Sequence, residues 1–472
     1  MINIFVVKCL RENKCVGWCS KVICGTVSGD VAGMPEFLDL FVSQVLDKRE
    51  RLVSILSFGR RSVFEEEFRS LLRSSWNPLP AAGPCFSKVV GIDGSRALRL
   101  YVVGGVLYVV RAVGVYGKHR IRELEVDAFT SASSSRDINR FVNRKMEWLE
   151  HRAALHALEK FDDVECVLID GTLHGRMMAV PRDSAAEGQK DFMLQYFQDY
   201  TAFLEECRRR NVVPIGVSKD SRSTHFKTYF LSLILENYFD VSKTGSQQLE
   251  KLLSMLFEMA DEEVKKQFTT NSVVLANVFR EATSSVTDHQ IIRNYAEEAG
   301  FTQPLEIGVY GRGARLVGQF IESPIHYIHR NFPEAFEEAG DKASFLEWGR
   351  RVLSKILRLP TIVSFHILLD RRDSPLRIDV PSWYFGLDNT LSDKIGVSPM
   401  NVRPDLLERI VATLMRGYGG LRNYNVWLVQ ADKEVKLSRE TVDSLYHRSL
   451  EKFLGLGTLL TPVRRERRVR FP

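Results

Sequence analysis

The chain has 472 residues, enough to bury a large core and too many for one small domain. A hydrophobic fraction of 44% beside 26% charged residues excludes a disordered chain. The most apolar stretch, Tyr101 to Tyr116, is broken by Gly104-Gly105 and Arg111, so no membrane span is expected. The net charge of +6 is small for this length and says little about a polyanionic partner.

The opening MINIFVVKCLRENKC has neither a basic n-region nor a clear cleavage site, so a cytoplasmic rather than a secreted protein is expected. Residues 1–33 read as an irregular leader holding Cys9, Cys15, Cys19 and Cys24, whose spacing suits a zinc knuckle poorly. Cys85, Cys166 and Cys207 stand in apolar settings and read as reduced core residues. Residues 34–84 form a helical N-terminal segment, with Phe37, Leu38, Phe41, Val42 and Val45 on one face, closed by a proline-rich stretch from Trp76.

From Val89 the period changes. Val89 to Ile92 is a short apolar strand that stops at Asp93-Gly94-Ser95, and Leu98 to Val103 with Val106 to Val115 reads as a hairpin. Ser134, followed three residues later by Asp137, starts a helix expected to run to Lys160. Val164 to Ile169 is a buried strand ending at Asp170-Gly171-Thr172. A helix over about 190–210 and a strand from Val212 to Val217, followed by Ser218-Lys219-Asp220, complete the series. Three strands, helix, strand, helix, strand is the order of a ribonuclease H-like mixed sheet flanked by helices, in which the fourth strand lies parallel to the first.

Residues 85–224 are thus the first part of an α/β core, and 225–300 a helical insertion without a chemical motif. Residues 301–445 supply the C-terminal part, with strands at Thr361 to Leu369, Leu376 to Val380 and Tyr424 to Val429 and a helix over 403–416. Residues 446–472 form a basic tail.

Two strands ending in Ile-Asp-Gly gather Asp93 and Asp170 if they are adjacent and parallel. Carboxylates so placed repel unless a divalent cation lies between them, and oxygen donors suit Mg²⁺ or Mn²⁺. The intervening helix offers a third ligand. Glu150 is the one charge on the row Val142, Met146, Glu150, Ala154, Leu158, whereas Glu147 lies on a largely polar row, so Glu150 is preferred. Lys219 and Asp220 fall at the same end of the sheet, as a phosphate-neutralising cation and a further ligand, or as an ordinary polar loop. Carboxylates around divalent metals activate water for in-line attack on a phosphodiester.

GIDGSR at 91–96, the helix bearing Glu150, LIDGTL at 168–173, GVSKDSRS at 216–223, PLRIDVP at 375–381 and NYNVWLVQADKEVKLS at 423–438 together resemble the ordered motifs of the NurA nucleases. That resemblance implies a ribonuclease H-like fold and Mn²⁺-dependent cleavage of DNA, with Asp93, Glu150 and Asp170 as metal ligands. It also implies a homodimer that works with the hexameric HerA translocase in resecting DNA ends for double-strand break repair, in archaea and bacteria. The sequence departs from the family at Asp432, which stands where a histidine is usual, and in lacking a proline after Tyr424. Aspartate still ligates a hard cation but does not replace a histidine in proton transfer. His326 and His329 are an alternative source of imidazole.

Two other functions compete. One is a catalytically weak or inactive NurA-like subunit that binds DNA and a HerA-type partner. The other is an actin-like phosphotransferase, which needs a second glycine-rich loop for which only Gly311-Arg312-Gly313 is available.

Overall fold

The computed structural model describes residues 37–58, 62–81, 83–242, 246–258, 272–309, 312–438, 441–442, 446 and 448–455. The leader cysteines, Gly311 and the tail beyond residue 455 lie outside these residues. The chain divides into two compact units, 1–61 and 62–472. In the first, helices α1 (Leu38–Asp47) and α2 (Arg49–Phe58) leave Leu40, Phe41, Leu46 and Leu56 exposed.

The second unit opens with helix α3 (Glu65–Ser74), whose Phe68 and Leu72 are buried. Its sheet contains β1 (Trp76–Pro78), β2 (Val89–Leu100), β3 (Val106–Tyr116), β4 (His119–Phe129), β5 (Cys166–Asp170), β6 (Val213–Ser218), β7 (Gly300–Thr302), β8 (Leu305–Ile307), β9 (Ile362–Leu368), β10 (Leu376–Pro381) and β11 (Val397–Pro399). The order along the sheet is β1-β7-β9-β10-β6-β5-β2-β3-β4, with β8 joining β9 to β11. Strand β5 lies parallel to β2 and to β6, and the other pairs are antiparallel. The run β4-β3-β2-β5-β6 is therefore the ribonuclease H-like core, with helix α4 (Ser135–Lys160) crossing between β4 and β5. The side chain of Ser134 accepts the Asp137 N–H at the start of α4, as its spacing predicts.

Two elements differ from the sequence reading. Strand β2 does not stop at Asp93 but continues to Leu100, and β3 pairs with it throughout, from Gly91 opposite Val115 to Leu100 opposite Val106. The three-stranded meander is thus β2, β3 and β4, and Asp93-Gly94 is a mid-strand dipeptide. The second difference is Tyr424 to Val429, which begins a helix rather than a strand. Asn425 accepts the Leu428 N–H through its side chain and starts helix α16 (Val426–Val435).

The remaining helices of the core are α5 (Leu173–Met177) and α6 (Phe192–Arg209). Alternation along the strands splits the interior into two layers. Val90, Ile92, Val167 and Ile169 face α4 and α6, while Val89, Leu168, Ile215, Val217, Phe365 and Ile378 face helix α15 (Pro404–Gly417) and α16. Between β6 and β9 the chain is largely helical: α7 (His225–Ser242), α8 (Ser246–Glu258), α9 (Val273–Ala282) and α10 (Asp288–Tyr295) precede β7, and α11 (Arg312–Glu322), α12 (Pro324–Asn331), α13 (Pro333–Glu338) and α14 (Lys342–Leu357) follow β8. A final helix, α17, spans Arg448–Leu454.

Candidate functional site

The parallel register sets Ile92 opposite Ile169, so Asp93 and Asp170, the next residue on each strand, stand side by side. Strand β5 ends there, which opens the sheet beside Asp93 while β3 still covers its other edge. By strand parity both side chains point to the α16 face.

Two glycines bring helices onto this point from opposite sides. A Cβ on Gly91 would lie 2.7 Å from the main-chain oxygen of Trp427, so α16 rests directly on β2 and delivers Asp432 to the site. A Cβ on Gly94 would fall on the Glu150 carboxylate and 2.7 Å from Met146 Cγ. Gly94 therefore serves close approach of α4, and only Gly171, with φ +109°, has the backbone of a true turn.

Asp93 is 7% exposed, and its carboxyl is pushed up to about 8 by burial and by the negative charges of Asp170, Glu150 and Asp432, against one N–H donated by Gly94. Asp170 accepts from Lys219 Nζ at 2.8 Å and from the Tyr424 hydroxyl at 3.2 Å. Burial disfavours the Lys219 ammonium, but Asp170, Asp93 and Asp432 outweigh that and hold its proton more tightly than usual. The ammonium also lies 5.0 Å from the Tyr424 ring centre. Burial and the same carboxylates keep the Tyr424 phenol neutral.

Glu150 is buried, as its row on α4 predicts, and burial raises its carboxyl to about 7 although Arg176 opposes that. It forms an ion pair with Arg176 of α5. Arg176 also donates to the Asp170 carbonyl at 3.2 Å and lies 3.0 Å from His151 Nε2. Glu147 is not simply solvated: it binds Arg144 and accepts from the Tyr196 hydroxyl at 2.8 Å. Behind the Asp170 loop, buried Asp379 of β10 accepts from Thr172 Oγ1 at 2.5 Å and the His174 N–H at 3.1 Å, and Arg377 and Ser364 bind it as well.

Asp93, Asp170, Asp432 and Lys219 are thus gathered, with Glu150 adjoining through Gly94. Asp220 is exposed, and its electrostatic neighbour is His289 of α10. His326 and His329 are exposed on α12, the ring of His329 lying 4.6 Å from that of Phe336. Arg208, Arg209 and Arg210 pair with Asp388, Glu206 and Asp162 rather than forming a free basic patch. Arg176, Tyr424 and Asp379 escape the sequence reading because the contacts that tie them to the site, with Glu150, Asp170 and Thr172, span 26, 254 and 207 residues; only the polar residues inside apolar runs hint at them.

Among the described residues no group of three His, Cys, Asp or Glu side chains is arranged to hold a metal ion as it stands. Lys219 and Arg176 are the cations on Asp170 and Glu150. The donor set nevertheless fits a hard divalent cation in oxygen chemistry, because Asp93, Asp170 and Asp432 offer carboxylate oxygens, and Asp93, raised by burial first and by its acidic neighbours next, has no cation paired with it among the described residues.

A ribonuclease H-like sheet with acidic residues collected where the parallel pairing of β2 and β5 stops defines a carboxylate-centred α/β protein. The NurA domain profile matches residues 87–437, and the chain belongs to that family. Among solved structures it is similar to the NurA nuclease from Sulfolobus solfataricus, at 14% identity and a TM-score of 0.49, over 89% of this chain and 98% of that one. It is also similar to a NurA structure with manganese, at 15% identity, TM-score 0.36, over 91% of this chain and 100% of that one. A third, NurA bound to dAMP and manganese, is 15% identical with TM-score 0.33 over 87% and 96% of the two chains. No curated protein matches the chain.

Proposed function

We propose that this NurA-family protein is a divalent-metal-dependent deoxyribonuclease, using Mn²⁺ or Mg²⁺, that hydrolyses phosphodiester bonds at DNA ends. The observation that carries this reading is the juxtaposition of Asp93 and Asp170 with Asp432 and Lys219 where β5 ends. In this reading Asp93, Asp170 and Asp432 hold the cation, and Glu150, balanced by Arg176, completes the acidic shell. A cation so held lowers the pKa of bound water and stabilises charge developing on the phosphate. Lys219, partly exposed and firmly protonated, neutralises a phosphate oxygen, and Tyr424 fixes the Asp170 carboxylate through its hydroxyl. Asp220 is left out of this set because it is exposed, and the acidic residues that raise the proton affinity of Asp93 do not include it.

The family reading extends the proposal to a cytoplasmic homodimer that works with a HerA-type hexameric translocase in DNA end resection for double-strand break repair. No described helix is long and apolar enough to cross a membrane. The test is Mn²⁺-dependent degradation of linear DNA by the purified chain and by Asp93→Asn. Loss of cleavage with an unchanged circular dichroism spectrum is expected; undiminished cleavage overturns the assignment.

A second reading is a binding subunit of weak activity. It is favoured by Asp432 in place of histidine and by the salt bridges that occupy Asp170 and Glu150. Tight binding to DNA or to a HerA-type partner with no cleavage under any divalent metal selects it.

A further inference from the structure

The helices from α7 to α10 contain no chemical motif, yet one of their residues reaches the segment that carries Lys219. Asp288, the first residue of α10, is fully buried and bonds in three directions. Its Oδ2 accepts from Ser223 Oγ at 2.6 Å, and its N–H donates to the Ser223 carbonyl at 2.9 Å. Its Oδ1 accepts the Lys227 N–H at 2.8 Å, satisfying a donor in the first turn of α7. Ser223 is four residues beyond Lys219. Strand β6 fixes the segment before Lys219, through Asp170 paired with Val217, and Asp288 fixes it after. Buried Lys227 donates to the carbonyls of Glu281 and Ser284, tying α7 to the end of α9.

We propose that Asp288 is a positioning residue for Lys219, and that the helical insertion thereby sets the geometry of the acidic centre. The proposal rests on Lys219 belonging to the nucleolytic site described above. Lys219 is 43% exposed, and its own contacts at the site are Asp170 and Tyr424. A long side chain so exposed is held by its backbone as much as by its tip. Releasing residues 220–224 from α10 lets the ammonium leave Asp170 and weakens whatever it does for a phosphate.

The experiment compares Asp288→Asn with the parent chain by acetylation of Lys219, read by mass spectrometry, and by steady-state cleavage of linear DNA with Mn²⁺. Labelling of Lys219 is expected to rise severalfold relative to that of Lys433. The maximal rate is expected to fall about tenfold or more, since small misplacements of a reacting group are costly. In a Lys219→Met background Asp288→Asn is expected to change the rate less than about twofold, as for two residues acting through one contact. Thr287→Ala removes the side-chain cap of α10 without touching Ser223, and should lower the melting temperature while leaving Lys219 labelling unchanged. Unchanged labelling in Asp288→Asn, or an equal loss of rate in the Lys219→Met background, overturns the proposal. If the parent chain does not cleave DNA, the nuclease reading fails while the labelling still tests the position of Lys219.

Discussion

Gly91→Ala is the sharpest probe of how the site is assembled. The new Cβ meets the Trp427 carbonyl oxygen at 2.7 Å, its carbon at 2.8 Å and its Cβ at 3.1 Å. Ordinary contact begins near 3.4 Å, so α16 has to back away from β2 by about 0.7 Å. The obstacle is backbone and cannot rotate aside. Arg111 of β3 meanwhile binds the carbonyls of Val435 and Lys436 at 2.6 and 2.7 Å, holding the far end of α16 in place. The helix therefore tilts, carrying Asp432 and the segment of Tyr424 away from Asp93 and Asp170. Overpacking of this kind costs about 1–3 kcal/mol. At roughly 2–4 °C per kcal/mol, the expected fall in melting temperature is on the order of 2–12 °C. Asp432, near the held end, moves by less than about 0.7 Å and the Tyr424 segment by more; since a displacement of about 1 Å costs up to about 10²-fold in rate, cleavage should fall several-fold, by more than the stability loss explains. Differential scanning fluorimetry and a DNA degradation assay well below the melting temperature separate the two effects. A variant that melts and cleaves like the parent would refute the direct seating of α16 on β2, and with it the place of Asp432 in the site.

Three further outcomes follow from the same geometry. In the metal-free protein Asp93 keeps its proton up to about pH 8, whereas the unfolded chain releases it near the ordinary value of 3.8. The folded state then binds more protons across that window, so stability falls as pH rises from about 4 to 8, and Mn²⁺ restores it; melts at pH 5 and 8.5 with EDTA or MnCl₂ check the sign, and equal melting temperatures in EDTA contradict it. Arg176→Met leaves the Glu150 carboxylate buried without its cation and should cost about 3–5 kcal/mol in urea unfolding, against little change for Arg350→Met, which breaks an exposed pair. Asp432→Asn should weaken Mn²⁺ binding by calorimetry, while Asp432→His should retain binding; equal affinity in all three proteins removes Asp432 from the ligand set.

What the sequence disclosed and what it hid divide along a physical line. The strand-helix-strand order, the helix from Ser134 to Lys160 and the burial of Glu150 are local patterns, set by the period of apolar residues and by one cap, and these are visible without a fold. Tyr424 to Val429 reads as a strand because an apolar, partly β-branched run suits one. Asn425, three residues before Leu428, was the local signal for a helix, and that helix finds its apolar partner only when Gly91 offers a flat place on β2. The two Asp-Gly dipeptides look alike in sequence but differ in purpose: Gly171 turns the chain, whereas Gly94 removes a side chain so that α4 can approach. Arg176 pairs with Glu150, and Tyr424 with Asp170, across 26 and 254 residues, and no periodicity reports such distances. The same limit explains why Asp93 matters more than its dipeptide suggested. Its carboxyl is buried, with three other acidic side chains nearby, and both facts come from the fold rather than from the dipeptide itself.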